Sequence, residues 1–215
     1  MKKIIVLVCM ILSSFSQNLL TGSQGSSHKI WSILICTLEE RRKSFDCLYE
    51  KLMKQIENCG LEKEIEILWF LDNREASVGY KRNFLLQASQ GKYINFIDDD
   101  DDIHDNYIHM IYEKLKKGPD CVSLIGIITT DDRRPKKFIH SIRYKTYFEE
   151  SGVYFRPPNH LNPIKRSIAI QFPFPNKYFG EDTDWAMMIA RSGLIKKEEE
   201  IREPYYFYKY VSAKH

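Results

Sequence analysis

Tyr93-Ile94-Asn95-Phe96-Ile97-Asp98-Asp99-Asp100-Asp101-Asp102 is the stretch from which the fold is read. A short apolar run of this kind reads as a buried strand. The chain therefore leaves the core and at once presents consecutive carboxylates. Like charges in a row repel one another unless cations sit among them. Hard oxygen ligands at the carboxyl end of a buried strand suit Mg2+ or Mn2+, ions that also bridge phosphate oxygens. The plainer reading is a solvated acidic loop. Its weakness is position, because the run is wedged between a core strand and a helix that Asp105 is placed to cap.

Working outward, strands and helices alternate. Lys29 to Cys36 is nearly continuous in apolar residues, and Thr37-Leu38-Glu39-Glu40 fits a capping box at a helix start. Phe45, Leu48, Tyr49, Leu52 and Ile56 follow at helical spacing, with Gly60 as the stop. A strand over Ile65 to Leu71 closes on Asp72. A helix over Tyr80 to Gln90 places Phe84, Leu85 and Ala88 on one face and ends near Gly91. Beyond the aspartates, Ile108, Ile111, Tyr112 and Leu115 share a helix face, and Cys121 to Ile128 reads as a fourth strand. This order argues for right-handed βαβ units and a mainly parallel sheet. Ligands bind such sheets beyond the carboxyl ends of the strands, where Thr37, Asp72 and the aspartates all fall. Residues 129 to 162 read as short strands and loops. Glu181 to Arg191 reads as a helix with Trp185, Met188 and Ile189 inward; Ile195 and Ile201 lie in a charged segment that reads as an edge strand, and Pro204 to Tyr210 forms an aromatic one.

Composition sets the outer bounds. The chain of 215 residues suits one domain, and 43% hydrophobic with 28% charged residues is ordinary for a globular protein. A net charge of +3 is too mild to indicate nucleic acid. Basic residues cluster at Arg133, Arg134, Lys136 and Lys137, and again at Lys165 and Arg166, either as solvated faces or toward an anion. Cysteines 9, 36, 47, 59 and 121 form no CxxC pair and no zinc spacing. Lys2 and Lys3 precede the apolar run Ile4 to Leu12 and then Ser13-Ser14-Phe15-Ser16, the layout of a signal peptide or N-terminal membrane anchor. Residues 1–28 are therefore set apart from the fold, which is expected over 29–215. The expected location is exported or membrane-associated through this segment, with the cytoplasmic face of a membrane as the alternative.

Four segments then match one pattern in order. They are Ser32-Ile33-Leu34-Ile35-Cys36-Thr37, Val78-Gly79-Tyr80-Lys81-Arg82-Asn83, Gly91 to Asp101, and Gly180-Glu181-Asp182-Thr183-Asp184-Trp185. Over about residues 30 to 210 the chain resembles the family 2 glycosyltransferases of GT-A fold. The resemblance implies an α/β, Rossmann-like three-layer αβα architecture with a mainly parallel central sheet. It implies a metal-dependent, inverting transfer of sugar from a nucleotide-sugar donor, UDP- or GDP-linked, to an acceptor hydroxyl on a glycan, lipid or protein. Thr37, Glu39 and Asp72 match positions near the nucleotide, and Lys81, Arg82 and Asn83 the segment facing the donor. Asp98 and Asp100 hold the two acidic positions of the DxD motif as metal ligands, with Asp98 and Asp99 toward ribose or in support of the ion. Asp182, with Glu181 beside it, matches the general base, and His160 falls in the family's later region.

Bland readings stand beside these roles. Asp72 doubles as a turn residue in Asp-Asn-Arg; Glu181, Asp182 and Asp184 suit an N-cap and first turn; a lone histidine in a Pro-rich loop is usually structural. The Gln-x-x-Arg-Trp motif of processive members is missing, so a polymerising synthase is not expected. Two rivals remain. A nucleotidyltransferase of related fold is disfavoured because Thr37-Leu38-Glu39-Glu40 stands where a Gly-rich phosphate loop belongs. A non-catalytic nucleotide-sugar-binding module is disfavoured by the intact acidic positions.

Overall fold

Strand β1 (Trp31–Leu38) alternates its side chains between two apolar layers, and that alternation organises the molecule. The computed structural model describes residues 29–211. Trp31, Ile33 and Ile35 pack with the inner faces of α1 (Arg42–Cys59) and, later in the chain, α3 (Tyr107–Leu115). Leu34 faces the opposite layer, with α2 (Val78–Ala88) and α5 (Glu181–Ser192). Helix α1 buries Phe45, Leu48, Leu52 and Ile56, each worth roughly 1.5–3 kcal/mol of burial. It stops at Gly60, whose φ of 65° a side chain would strain.

β1 pairs in parallel with β2 (Ile65–Asp72) on one side and β3 (Tyr93–Phe96) on the other. The αβα layering and the parallel core are as expected. Two short strands extend the sheet. β10 (Ile164–Lys165) enters antiparallel between β3 and β5 (Cys121–Val122), and β11 (Glu198–Glu199) forms the edge beside β5. Between β1 and β3, the Trp31 indole donates to Asn95 Oδ1 at 2.7 Å, and Asn95 Nδ2 donates to the Tyr107 hydroxyl at 2.9 Å. This buried polar chain is satisfied, so it fixes the layers without a desolvation penalty.

The expected strand over Cys121 to Ile128 breaks at Ser123. β5 stays in the first sheet, while β6 (Leu124–Thr130) belongs to a second. That second sheet runs β4 (Asp102–Ile103), β12 (Tyr206–Tyr210), β6, β7 (Arg133–His140), β9 (Val153–Arg156), β8 (Phe148–Glu150). Gly126 lets it close up, since a Cβ there would lie 2.2 Å from the Phe138 ring. Leu124, Phe138, Tyr205 and Tyr206 join the same apolar cluster as Trp31 and Tyr93, so the two sheets share a core. The short helix α4 (Arg166–Ala169) follows β10 and has no counterpart in the sequence reading. Among the described residues no helix is long and apolar enough to cross a membrane. The expected signal or anchor in residues 1–28 lies outside them.

Candidate active site

The carboxyl ends of β1, β2 and β3 deliver polar groups to one edge. Thr37, at the end of β1, is buried and its hydroxyl donates to Asp99 Oδ2 at 2.7 Å. The capping-box expectation at Thr37 is therefore overturned. The strand runs on to Leu38, a 3-10 turn follows over Glu39–Arg41, and the hydroxyl is taken by a carboxylate rather than by a helix end. Asp72, at the end of β2, accepts from Lys81 Nζ at 2.7 Å and from the Ala76 amide at 2.9 Å. It is thus both turn-former and half of a buried ion pair, with both side chains 3% exposed. Lys81 also donates to the Thr37 carbonyl at 3.2 Å, tying β1 to β2.

The aspartates fan out, each to its own partners. Asp98 accepts from Arg82 Nη2 at 3.1 Å and faces His160 Nε2 at 3.4 Å. Asp99, buried, takes Thr37 and Arg41. Asp100 meets Arg41 at 2.9 Å, and its side chain is 42% exposed. Asp101, buried, accepts the Tyr206 hydroxyl at 2.7 Å and the Lys209 amide at 3.0 Å. Asp102 pairs with Lys51, as does Asp105. Asp105 is thereby diverted from the helix cap expected of it, and α3 starts after Asn106 with no side-chain cap. The cations required by the charge run are thus Arg41, Lys51 and Arg82. Burial opposes ionisation of Asp98, but His160 and Arg82 outweigh it and hold this carboxyl below the usual range. Asp101 goes the other way: burial and the neighbouring Asp98 charge push it well above.

Arg82 is the hub. Its guanidinium donates from Nε to Glu181 and from Nη2 to Asp98, both at 3.1 Å, and lies over the rings of Phe96 and Phe174. Burial opposes its charge, yet Asp98 and Glu181 hold its pKa above the ordinary arginine value. Nη1 is buried without a partner. Lys81 and Arg82, in the first turns of α2, are turned inward and buried with Leu85, whereas Phe84 and Ala88 of the expected apolar face are not among its buried residues. Asn83 departs from the donor-facing segment. Its amide donates to the Phe174 carbonyl and accepts from the Phe174 amide, both at 2.8 Å, so it clamps the loop ahead of α5. Glu39 is exposed on the 3-10 turn.

His160 completes the arrangement. The Phe96 amide donates to its carbonyl at 2.7 Å, which sets the residue beside the end of β3. Its ring lies between two carboxylates, Nε2 toward Asp98 and Nδ1 3.6 Å from Asp182 Oδ2. Asp182 is the second residue of α5. The capping role weighed for this turn is not realised: Gly180 occupies the N-cap and no side chain caps the helix. Glu181 is buried against Arg82, whereas the Asp182 side chain is 30% exposed. One chain of contacts therefore runs Glu181–Arg82–Asp98–His160–Asp182.

A divalent cation fits this edge in a restricted way. The oxygens of Asp98 and Asp99 face arginine, histidine or threonine donors, Asp99 is buried, and Asp100, paired with Arg41, is the most solvent-facing of the three. No group of three or more His, Cys, Asp or Glu side chains converges for a metal among the described residues. That set suits an ion held by one or two carboxylates, water and phosphate oxygens rather than by an all-protein cage. A cleft of about 530 Å³ between α3 and residues 199–203 contains none of these groups.

Residues 50–187 match the family described as Glycosyl transferase family 2. The chain belongs to glycosyl transferase family 2. No curated protein sequence matches it. Its fold is similar to crystal structures of S. aureus TarS 1-349. The structure in complex with UDP has 15% identity and a TM-score of 0.59, covering 84% of this chain and 60% of that one. The structure in complex with UDP-GlcNAc has 14% identity and a TM-score of 0.57, covering 86% and 60%. This family 2 chain thus spans about 60% of the length of those structures, and at such identity the likeness establishes the fold. Sequence reasoning reached the aspartates, Lys81, Arg82 and Asp182 but missed Arg41 and Tyr206. The available signal for Arg41 was its place on the first turn after β1, at the same edge as Thr37.

Proposed function

We propose that the protein transfers a sugar from a nucleotide-sugar donor, UDP- or GDP-linked, to an acceptor hydroxyl with inversion at the anomeric carbon. The observation that carries this reading is the contact chain from Arg82 through Asp98 and His160 to Asp182. It links the buried arginine at the strand edge to a partly exposed carboxylate across one buried histidine. Asp182 takes the proton of the acceptor hydroxyl as that oxygen bonds to the anomeric carbon. The bond from that carbon to the donor phosphate oxygen breaks, and its electron pair leaves with the nucleoside diphosphate. Arg82 offers its unmet Nη1 donor to a diphosphate oxygen and holds Asp98 and Glu181 in place. Thr37, Asp72 and Lys81 keep the ends of β1 and β2 in register beneath the nucleotide.

Asp100 would hold Mn2+ or Mg2+, with Asp98 and Asp99 behind it. When bound, such an ion neutralises charge developing on the leaving diphosphate. The nucleotidyltransferase alternative has less support, because no Gly-rich loop follows β1. The test is calorimetry of UDP and GDP binding with and without Mn2+, using Asp100→Ala. Wild-type protein should bind one of them in a metal-dependent way and the variant should lose that dependence while remaining folded. Equal, metal-independent binding by both proteins would remove Asp100 from the role. The N-terminal segment is retained as an export or anchoring signal, and a chain starting near Lys29 should fold and transfer without it.

A further inference from the structure

Strand register places Arg156 on the same face of the second sheet as the tyrosines that touch the aspartates. Arg156 lies opposite His140, Tyr154 opposite Phe138, and Phe138 opposite Gly126, which in turn faces Tyr206. Directly paired residues share a face, as do positions two apart. One face therefore carries Tyr206, Tyr208, Tyr154 and Arg156. Tyr206 is the residue whose hydroxyl binds Asp101 and accepts from the Asp98 amide. The face leads from the aspartate run to Arg156 across three strands.

Arg156 is unlike the other arginines beside the site. Arg41 and Arg82 each hold two carboxylates. Among the described residues the Arg156 guanidinium makes no ion pair and no hydrogen bond. Its carbon instead sits 5.5 Å from the Tyr147 ring centroid and 5.7 Å from that of Tyr154. Stacking of this kind leaves the in-plane N–H donors of the guanidinium available for a forked contact with an oxyanion. The second observation is Tyr147 itself. Its hydroxyl is buried and makes no close hydrogen bond, with the Thr183 and Asn159 side chains near it, and burial first, then the Asp182 charge, push the phenol up to about 12. A buried hydroxyl without a partner carries a desolvation cost that a ligand can relieve. Tyr147 thus stands between Arg156 and the carboxylate at the start of α5.

We propose that Arg156 and Tyr147 form the acceptor subsite, and that the acceptor carries an anionic oxygen group near its reacting hydroxyl. The anionic group, a phosphate ester or a carboxylate, is forked by Arg156. Tyr147 holds the acceptor's neutral oxygens, and the reacting hydroxyl reaches Asp182. This rests on the sugar-transfer reading above and adds the chemical class of the acceptor.

The test uses the full chain with Mn2+ and the UDP- or GDP-sugar that it binds. Nucleoside diphosphate release is measured with glycerol, glycerol 1-phosphate or glycerate as probe acceptors. The charged probes should stimulate release at least tenfold more than glycerol at equal concentration, and the better of the two identifies phosphate or carboxylate. Arg156→Gln should abolish that preference. Lys145→Gln, which removes an exposed charge of the same sign, should preserve it. The same loss in Arg156→Lys would show that planar forking is required. Equal stimulation by neutral and charged probes, or stimulation by none while the nucleotide still binds, overturns the acceptor proposal. Failure to bind any nucleoside diphosphate instead overturns the donor reading on which it stands.

Discussion

The edge of the first sheet and the face of the second meet at the aspartate run, and they treat polar groups in opposite ways. At the edge, charge is matched by countercharge: Lys81 with Asp72, Arg82 with Asp98 and Glu181, Arg41 with Asp99 and Asp100. On the face, Arg156 meets only aromatic rings, His140 Nε2 is buried without a partner, as is Tyr147 Oη just ahead of β8, and the Lys136–Glu149 pair is solvent-exposed. Paired charges hold a geometry before any ligand arrives, the arrangement that electrostatic preorganisation requires. Polar atoms left unmet, Tyr147 Oη beside the face and Arg82 Nη1 at the edge, mark where recognition is left to a ligand.

The sharpest way to break this comparison is at their junction. Asp182→Asn keeps shape and removes the proton acceptor, so transfer should fall by roughly 10²- to 10⁴-fold. Nucleoside diphosphate affinity and Tm should stay near wild type, because Asp182 caps nothing. Near-normal turnover would move the base to another group. Next in size is the buried pair at the edge. Lys81→Met strands the Asp72 carboxylate at 3% exposure and should cost about 3–5 kcal/mol in urea unfolding. Adding Asp72→Asn should restore most of the loss. A single-variant cost below about 1 kcal/mol would mean that the pair is effectively solvated.

Smaller effects probe the second sheet. Gly126→Ala pushes a methyl against Phe138 and against the Tyr206 carbonyl, 2.8 Å away. It should cost about 1–3 kcal/mol, the usual range for overpacking, and Phe138→Leu in the same chain should recover part. His140 is fully buried, and burial first, then Arg156, pulls its pKa down from 6.5 to about 3. Only the unfolded chain then takes up the proton between those values, so the contribution is intact above pH 6.5 and is lost as the pH falls toward 3. Unfolding free energy at pH 5.5 should lie ~1.4 kcal/mol below that at pH 7.5 on this account. His140→Gln should flatten that slope, and an unchanged slope would show that other groups carry it.

The first sheet was legible because its signals are local. Apolar runs closing on Thr37, Asp72 and Asp98 name strand and edge together, and the helical spacing from Phe45 to Ile56 names the layer that covers them. The second sheet was not: its hairpins β6–β7 and β8–β9 are local, but β12 and β4 are placed by partners distant in sequence. Nothing between Cys121 and Ile128 signals that the strand changes sheets at Ser123, and β12 pairs in parallel with β6, each residue with one far earlier in the chain, as Tyr206 with Gly126. Local pattern also misassigned Thr37 and Asp105 as helix caps, and offered a cap beside the base role at Asp182. Each was claimed by a tertiary partner or displaced by glycine, a competition that propensity cannot see. Lys81 and Arg82 look like a solvated helix turn until Asp72, Asp98 and Glu181 are brought to them.

The Tyr206 hydroxyl on Asp101 spans 105 residues of sequence. At a synthesis rate of roughly 5–20 residues per second, the aspartates emerge about 5–20 s before the tyrosine that anchors them. Throughout that interval the nascent chain holds all five carboxylates but neither β12 nor its hydroxyl. Of the first sheet only β1, β2, β3 and β5 precede the middle of that interval, since β10 and β11 come later, and Asp101 lacks its hydroxyl partner until Tyr206 has emerged. A nascent chain stalled short of Tyr206 would consequently present the charged turn without its catalytic shape.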